Sequence, residues 1–336
     1  MIVEALSAVY GAAATWRRRW YARPDRARHL TQPVISIGNL RVGGTGKTPT
    51  VACLAQLLVE RGERPVILSR GYARQQPSAG VTLVSDRTRV LADVAHAGDE
   101  PLLLARALPG VPVLVCADRH AAGQFAEARL DPTVHLLDDG FQHVTLARDI
   151  DLLLADDRDL DDRVLPAGRL REPLSNASAA HALIVPGGNA GTARRTASRL
   201  GIQDAFWTTR ELGTLTMLRP GDHVPEGNTA VFAVAGIERP ERFFDDLRAA
   251  GYTVAGTRVF RDHHVYSQAD LAGIVADARA ARATAVVTTE KDAVRIEPLE
   301  LPDLPFASVA LRTRIEPSEA FAAWIVSRLA RARGAH

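Results

Sequence analysis

The sequence predicts an α/β protein: a mostly parallel sheet covered by helices, followed by a smaller α/β lobe. Three observations carry this. From Pro33 onward, short and nearly continuous apolar runs alternate with segments of helical periodicity, as expected for strands buried on both faces. The first run leads into a glycine loop ending Gly46-Lys47-Thr48. Between Ala205 and Leu218 the pattern changes to Phe-Trp-Thr-Thr-Arg and Thr-Leu-Thr-Met-Leu around Gly213, which reads as a two-stranded ribbon before a second αβ unit. The segments expected are an N-terminal helix over 1–30, a core lobe over 31–204, a two-stranded linker over 205–222 and a C-terminal lobe over 223–336.

The N-terminal helix comes first. Ile2, Leu6, Val9, Ala13, Trp16 and Trp20 recur at steps of four and three and form one stripe. Arg17, Arg18 and Arg19 follow, with Arg23, Arg26 and Arg28 beyond. A secretory signal places its cations before the apolar stretch, so this is not one. Tryptophans beside arginines suit a helix lying in a membrane interface. A helix docked on the protein's own surface is the other reading.

In the core lobe, Pro33-Val34-Ile35-Ser36-Ile37 is too short and β-branched for a helix and suits a buried strand. Gly43-Gly44-Thr45-Gly46-Lys47-Thr48 follows, and then Val51, Leu54, Ala55 and Leu58 at helical spacing, closed by Gly62. Strand, glycine loop and helix together make a phosphate site: backbone N–H groups converge on an anion at a helix N-terminus. Lys47 would reach the β/γ-phosphates and Thr48 would hold Mg²⁺. Arg41 stands where the usual pattern has its first glycine, so the loop is nearer the G-G-x-G-K-T variant, with Val42 where that variant often has lysine.

Further strands are expected at Val66–Leu68, Val113–Cys116, Val134–Leu137, Asp151–Leu154 and Ala182–Val185. In the second lobe Val231–Val234 and Ala285–Thr289 are strands. A helix runs from about Pro240 to Gly251, Ser267-Gln268-Ala269-Asp270 opens another with a capping box, and Phe321, Trp324, Ile325 and Arg328 mark a last one.

Composition narrows the classes. The 336 residues suffice for one large or two ordinary domains. With 46% hydrophobic and 24% charged residues the chain is globular, and a net charge of +2 lacks the basic surplus of a general nucleic-acid binder. Cys53 and Cys116 sit in apolar runs, which suits reduced thiols in a cytosolic setting and neither a disulfide scaffold nor a zinc site. No apolar run reaches the roughly 18–20 residues that span a bilayer.

Several groups can carry chemistry. Asp138-Asp139-Gly140 ends an apolar strand, where acids beside a phosphate loop hold Mg²⁺ and its waters. Asp99-Glu100 starts a helix ahead of Pro101; it is either an acidic turn on the helix dipole or a base for an attacking hydroxyl. His263 and His264 are neighbours and would point apart, which disfavours a shared zinc ion; either a histidine tuning a carboxylate or a satisfied histidine fits. Lys291-Asp292 lacks the spacer of a guanine-reading Lys-x-Asp element, so nothing there favours GTP over ATP. Arg169, Arg171 and Glu172 fall in a loop between Pro166 and Pro173.

Taken in order, Val42-Gly43-Gly44-Thr45-Gly46-Lys47-Thr48-Pro49, Leu68-Ser69-Arg70-Gly71-Tyr72, Gly98-Asp99-Glu100-Pro101, Leu137-Asp138-Asp139-Gly140-Phe141-Gln142-His143, Leu165-Pro166-Ala167-Gly168-Arg169-Leu170-Arg171-Glu172-Pro173, Phe260-Arg261-Asp262-His263-His264 and Thr289-Glu290-Lys291-Asp292-Ala293 resemble the tetraacyldisaccharide 4′-kinase family, the lipid A 4′-kinases. No single motif is decisive; the ordered set, which covers nearly the whole chain, is specific. The resemblance implies a P-loop NTPase-type lobe joined by a two-stranded linker to a smaller lobe. It implies transfer of the ATP γ-phosphoryl group to the 4′-hydroxyl of an acylated glucosamine disaccharide 1-phosphate in lipid A biosynthesis. It also implies peripheral attachment, through the first helix, to the cytoplasmic face of the bacterial inner membrane; a monomer is the expected state. On the family pattern Asp99 is the base, paired with His263. Lys47 acts in catalysis and, with Gly43, Gly44, Thr45, Gly46 and Thr48, binds ATP. Thr48, Asp138 and Asp139 attend the Mg²⁺, and Tyr72 and Arg171 contact the acceptor. His264 could exchange roles with His263, and the separate duties of Asp138 and Asp139 stay open. The competing reading is a membrane-associated P-loop ATPase switch, which needs no hydroxyl acceptor and no Asp99/His263 pair.

Overall fold

The computed structural model describes residues 1–23, 25–71, 74, 76, 80–223 and 229–335. The chain divides into two compact units, Met1–Thr209 with Thr313–His336, and Arg210–Arg312.

In the first unit the elements are α1 (Ile2–Tyr21), β1 (Val34–Asn39), α2 (Lys47–Glu60), β2 (Pro65–Ser69), β3 (Thr82–Ser85), α3 (Val94–Ala97), α4 (Asp99–Ala107), β4 (Val113–Val115), α5 (Arg119–Arg129), β5 (Val134–Asp138), β6 (Ile150–Leu154), β7 (Ala182–Pro186), α6 (Ala190–Leu200) and the start of β8 (Asp204–Met217). Every residue of β1, β2, β5 and β6 is buried, the two-sided burial their apolar runs require. Sheet order is β8-β7-β6-β1-β5-β2-β4-β3; it is parallel except at its edge, where β3 runs against β4. β1 lies between β5 and β6, with Ile37 opposite Asp138 and Asn39 opposite Leu154. The carboxyl ends of the central strands therefore carry Asn39, Ser69 and Asp138, the place where open parallel sheets bind ligands. Leu54 and Leu58 of α2 are fully buried, and each such side chain contributes about 1.5–3 kcal/mol. A cap from Asp118, which accepts from His120 N and Ala121 N, starts α5.

The second unit continues β8 and adds β9 (Ala230–Ala235), α7 (Pro240–Ala249), β10 (Thr253–Val259), α8 (Gln268–Ala280), β11 (Ala285–Thr289), α9 (Glu290–Ile296) and β12 (Phe306–Glu316); the chain then ends in α10 (Ser318–Ala335), part of the first unit. The parallel order is β10-β9-β11-β12. The Ser267 capping box opens α8, as its sequence requires.

Two expectations need correction. Residues 205–218 do not fold back about Gly213: Asp204–Met217 is one strand, lying between β7 and β12, the latter about ninety residues later. Two strands do connect the units, but from distant segments. Consequently α10 groups with the first unit, whereas the sequence had assigned everything after 222 to the second lobe.

The first helix docks on the protein, though not through its apolar stripe. The buried residues of α1 are Gly11 and Arg18, while Ile2 is 79% and Trp16 63% exposed. Ser7 Oγ accepts from Ala167 N, and Thr15 Oγ1 donates to Asn176 Oδ1. A Cβ on Gly11 would stand 3.2 Å from Pro173. A polar, small-residue face thus holds the protein and the apolar face is turned away. No described helix is long and apolar enough to cross a membrane.

Candidate functional site

The site is built on the sheet's carboxyl edge. Gly46 caps α2 with φ of +85°, a left-handed turn that glycine takes without steric cost. A Cβ there meets nothing within 4 Å, so the backbone angle, not crowding, calls for glycine. Gly43, Gly44 and Gly46 are exposed. Thr45 Oγ1 is buried without a hydrogen-bond partner among the described residues. Lys47 and Thr48 open α2, whose first turn carries no acid. An open loop of amides with the positive end of a helix behind it attracts anions.

Asp139 is the point on which the cations converge. Lys47 Nζ donates to Asn39 Oδ1 at 3.1 Å and lies 3.5 Å from Asp139 Oδ1. Arg171 Nη1 reaches both Asp139 oxygens, at 3.0 and 2.8 Å. Burial alone would raise this carboxyl, but Lys47 and Arg171 outweigh it and hold Asp139 below the ordinary carboxylate range. Its φ of +54° turns the chain sharply off the end of β5.

Asp138 has the opposite environment. It is buried, and Ser69 Oγ donates to it at 3.2 Å. Burial first, then the charges of Glu100 and Asp139, push it up to about 7, against the pull of Lys47 and Ser69. The two neighbouring acids therefore differ: one is clamped as an anion, the other is crowded by negative charge that a cation would relieve. Glu100 brings the start of α4 into this field, with Asp99 immediately before it, behind Gly98 at φ +83°. Arg119, at the start of α5, is also buried. Its desolvation and Arg70 pull it below the usual guanidinium value, while Asp139 and Asp138 oppose them.

A second layer orients the first. Gln142 Nε2 donates to Asn39 O and to Glu172 Oε1, both at 2.9 Å, and Gln142 Oε1 accepts from Arg171 at 3.1 Å. Glu172 is buried and receives Arg18 through two bonds of 2.8 Å. The loop also pairs with the start of the phosphate loop: Val42 N donates to Arg169 O and Arg171 N to Leu40 O. Beside it a cavity of about 290 Å³ is lined by Tyr10, Ala13, Ala14, Arg17, Gln142 and Arg171 among others.

In the second unit, His263 also has positive φ, +61°. Its Nε2 is 3.1 Å from Lys291 Nζ and its Nδ1 3.0 Å from Arg295 Nη2. His264 is occupied differently: its Nε2 meets Asp270 Oδ2 at 3.2 Å, and its ring stacks on Phe260 at 4.5 Å. His264 is thus tied to the capping box and an aromatic cluster.

Of the residues singled out from sequence, Lys47, Asp138, Asp139 and Arg171 come together, next to the loop of Gly43, Gly44, Thr45, Gly46 and Thr48. Asp99 joins through its neighbour Glu100, His263 belongs to the second unit, and Tyr72 lies outside the described residues. Asn39, Ser69, Arg119 and Gln142 carry no part in the sequence reading; Gln142 and Ser69 lie inside quoted motifs, whereas nothing in the spacing marks Arg119. Arg18 is a correction: grouped by sequence with the arginines of a membrane-facing rim, it is instead buried and paired with Glu172.

Comparison with known proteins agrees with this geometry. Residues 1–330 match the family described as tetraacyldisaccharide-1-P 4′-kinase. A tetraacyldisaccharide 4′-kinase of Geobacter metallireducens is 40% identical over 309 residues, covering 89% of each chain. One of Koribacter versatilis is 38% identical over 339 residues, covering 98% of this chain and 99% of its own. The crystal structure of LpxK from Aquifex aeolicus in complex with ATP is similar, with TM-score 0.76 and 31% identity, covering 98% of this chain and all of that one. The chain belongs to the tetraacyldisaccharide-1-P 4′-kinase family.

Proposed function

We infer that the chain transfers the γ-phosphoryl group of ATP to the 4′-hydroxyl of a tetraacyl disaccharide 1-phosphate, the lipid A precursor. The convergence of Lys47 and Arg171 on Asp139, at the foot of an open glycine loop, carries the reading. Lys47 has the reach to offset charge on a transferring phosphoryl group, and the amides of Gly43, Gly44, Thr45 and Gly46 suit the phosphates. Thr48, Asp138 and Asp139 offer hard oxygen donors, and the crowding that raises Asp138 is what a divalent cation would relieve, so the set fits Mg²⁺. When bound, Mg²⁺ would neutralise charge on the phosphates.

An alcohol is a weak nucleophile near neutral pH, so the reaction needs a group to take its proton. Asp99 suits this role: it starts a helix and is next in the chain to Glu100, whose charge acts on Asp138. His263 is the histidine we assign to catalysis from its motif; its ring meets Lys291 and Arg295, whereas His264 is tied to Asp270 and Phe260. Arg171 and the adjoining cavity suit the polar head of the acceptor, and Tyr72 is proposed as a further contact from its motif alone. The outward stripe of Ile2, Leu6, Val9 and Trp16, with Arg19 and Arg23 nearby, suits the cytoplasmic face of an inner membrane, where an acylated acceptor resides.

The test is direct. The full chain, γ-labelled ATP, Mg²⁺ and the tetraacyl disaccharide 1-phosphate in detergent micelles should yield labelled lipid. Label released only as free phosphate, equally with plain lipid and with acceptor, would replace this reading by an ATPase switch.

A further inference from the structure

The face by which α1 grips the protein is a reading of one loop. Arg163 Nη1 lies 3.4 Å from Glu4, Ala167 N donates to Ser7, Pro173 packs on Gly11, and Thr15 donates to Asn176. Arg18 completes the series, two turns beyond Gly11. Glu4, Ser7, Gly11, Thr15 and Arg18 are spaced three and four apart, so one stripe of the helix addresses residues 163–176 from end to end.

Arg18 differs from the rest of that stripe. It is 9% exposed, against 4% for Glu172. Its Nε and Nη2 take the two Glu172 oxygens at 2.8 Å each, Nη2 also donates to Phe141 O at 2.7 Å, and the guanidinium lies 4.0 Å from the centre of the Phe141 ring. Each partner is next in the chain to a residue of the site: Glu172 follows Arg171, and Phe141 precedes Gln142. Glu172 also accepts from Gln142, and Gln142 accepts from Arg171, which clamps Asp139. A buried ion pair is a weak source of stability, since an apolar pair of similar size often does as well. What this pair does supply is position, because a guanidinium fork fixes its carboxylate in one plane and one orientation.

We propose that Arg18 is a positioning residue for phosphoryl transfer, acting through Glu172 and Gln142 to hold Arg171 on Asp139. The first helix is then part of the catalytic scaffold as well as a foothold. The proposal rests on the kinase reading above.

A double-mutant cycle on the full chain tests it, with turnover measured in detergent micelles carrying the acceptor at saturating ATP. Arg18→Met should lower kcat by about 10- to 100-fold, the cost of a misplacement near 1 Å, and the KM for ATP should change much less. Arg18→Lys should fall between, because it keeps the charge and loses the fork. If both residues act on one arrangement, Arg18→Met with Gln142→Met should be no slower than the worse single variant. Binding to phosphatidylethanolamine/phosphatidylglycerol vesicles should stay at the wild-type level, since Arg18 faces inward. Wild-type kcat in Arg18→Met, losses that multiply in the double variant, or a defect in vesicle binding without one in micelle turnover would each overturn the proposal. So would a loss that disappears on cooling to where thermal melts show the variant folded. If Arg18→Met does not fold, the same cycle with Arg18→Lys decides. A wild-type protein that labels no lipid would refute the kinase reading instead.

Discussion

At the scale of single residues, charge and burial separate neighbours that look alike in the sequence. Asp138 and Asp139 are adjacent acids, yet Lys47 and Arg171 outweigh burial at Asp139, whereas burial and neighbouring acids win at Asp138. His263 and His264 are adjacent too, yet His263 meets Lys291 and Arg295 while His264 is held by a cap and a ring. Replacing Lys47 by Ala should reduce kcat/KM by about 10²–10³-fold, the usual scale for losing a preorganised donor, and also weaken ATP binding. Equilibrium binding of a fluorescent ATP analogue beside steady-state rates checks both. For Asp99→Ala the two should part: a lost general base costs about 10²–10⁴-fold in turnover while nucleotide affinity stays. Unchanged turnover would remove Asp99 from the base role. His143 gives a pH effect. Burial, with Arg119 and Arg148 behind it, pushes its imidazole down to about 3, so the folded protein keeps it neutral. The unfolded chain binds that proton below its ordinary value of about 6.5, so the stability held above this value is lost as the pH falls toward 3. Thermal melts from pH 7 to 4.5 should therefore fall less steeply for His143→Gln than for the wild type.

At the scale of elements, the N-terminal helix shows what periodicity can and cannot say. The stripe of Ile2, Leu6, Val9 and Trp16 was legible because it is local, but its direction was not: the same spacing serves a helix pressed on its own protein. Direction is set by Gly11 against Pro173 and Arg18 on Glu172, partners about 150 residues away that no window of sequence joins. For the same reason β1, the glycine loop and α2 could be read in full, since strand, turn and helix are contiguous. The pairing of β8 with β12 could not, because β12 arrives only at Phe306. An outward apolar stripe has a measurable consequence. Trp16→Asp with Trp20→Asp should markedly reduce co-sedimentation with anionic vesicles and leave micelle turnover far less affected, because the indoles contact each other and Arg23 and Arg26. Unchanged sedimentation would mean that lipid does not contact this face.

At the scale of the whole molecule, the site is a place where stability has been set against function. Asp138 is buried among acids, with the Ser69 hydroxyl donating to it, an arrangement that a fold selected only for rigidity would not contain. Sequence could locate the acids, since they end an apolar strand, but could not show this cost, which comes from burial and from Glu100 arriving on a separate helix. The cost makes a prediction about the entire chain. Asp138→Asn keeps the shape and removes the charge, so in metal-free buffer at pH 8 it should raise the melting temperature. The same change should lower phosphoryl transfer by about 10²-fold or more, as for a residue whose charge matters in the transition state. It should also shrink the stabilisation that Mg²⁺ with ATP confers on the wild type, about 2.7 kcal/mol at a hundred times Kd. Calorimetric melts with and without Mg-ATP measure both quantities on the same samples. A variant that melts lower than the wild type without ligand would show that Asp138 is a structural acid, stabilised by its surroundings rather than strained by them.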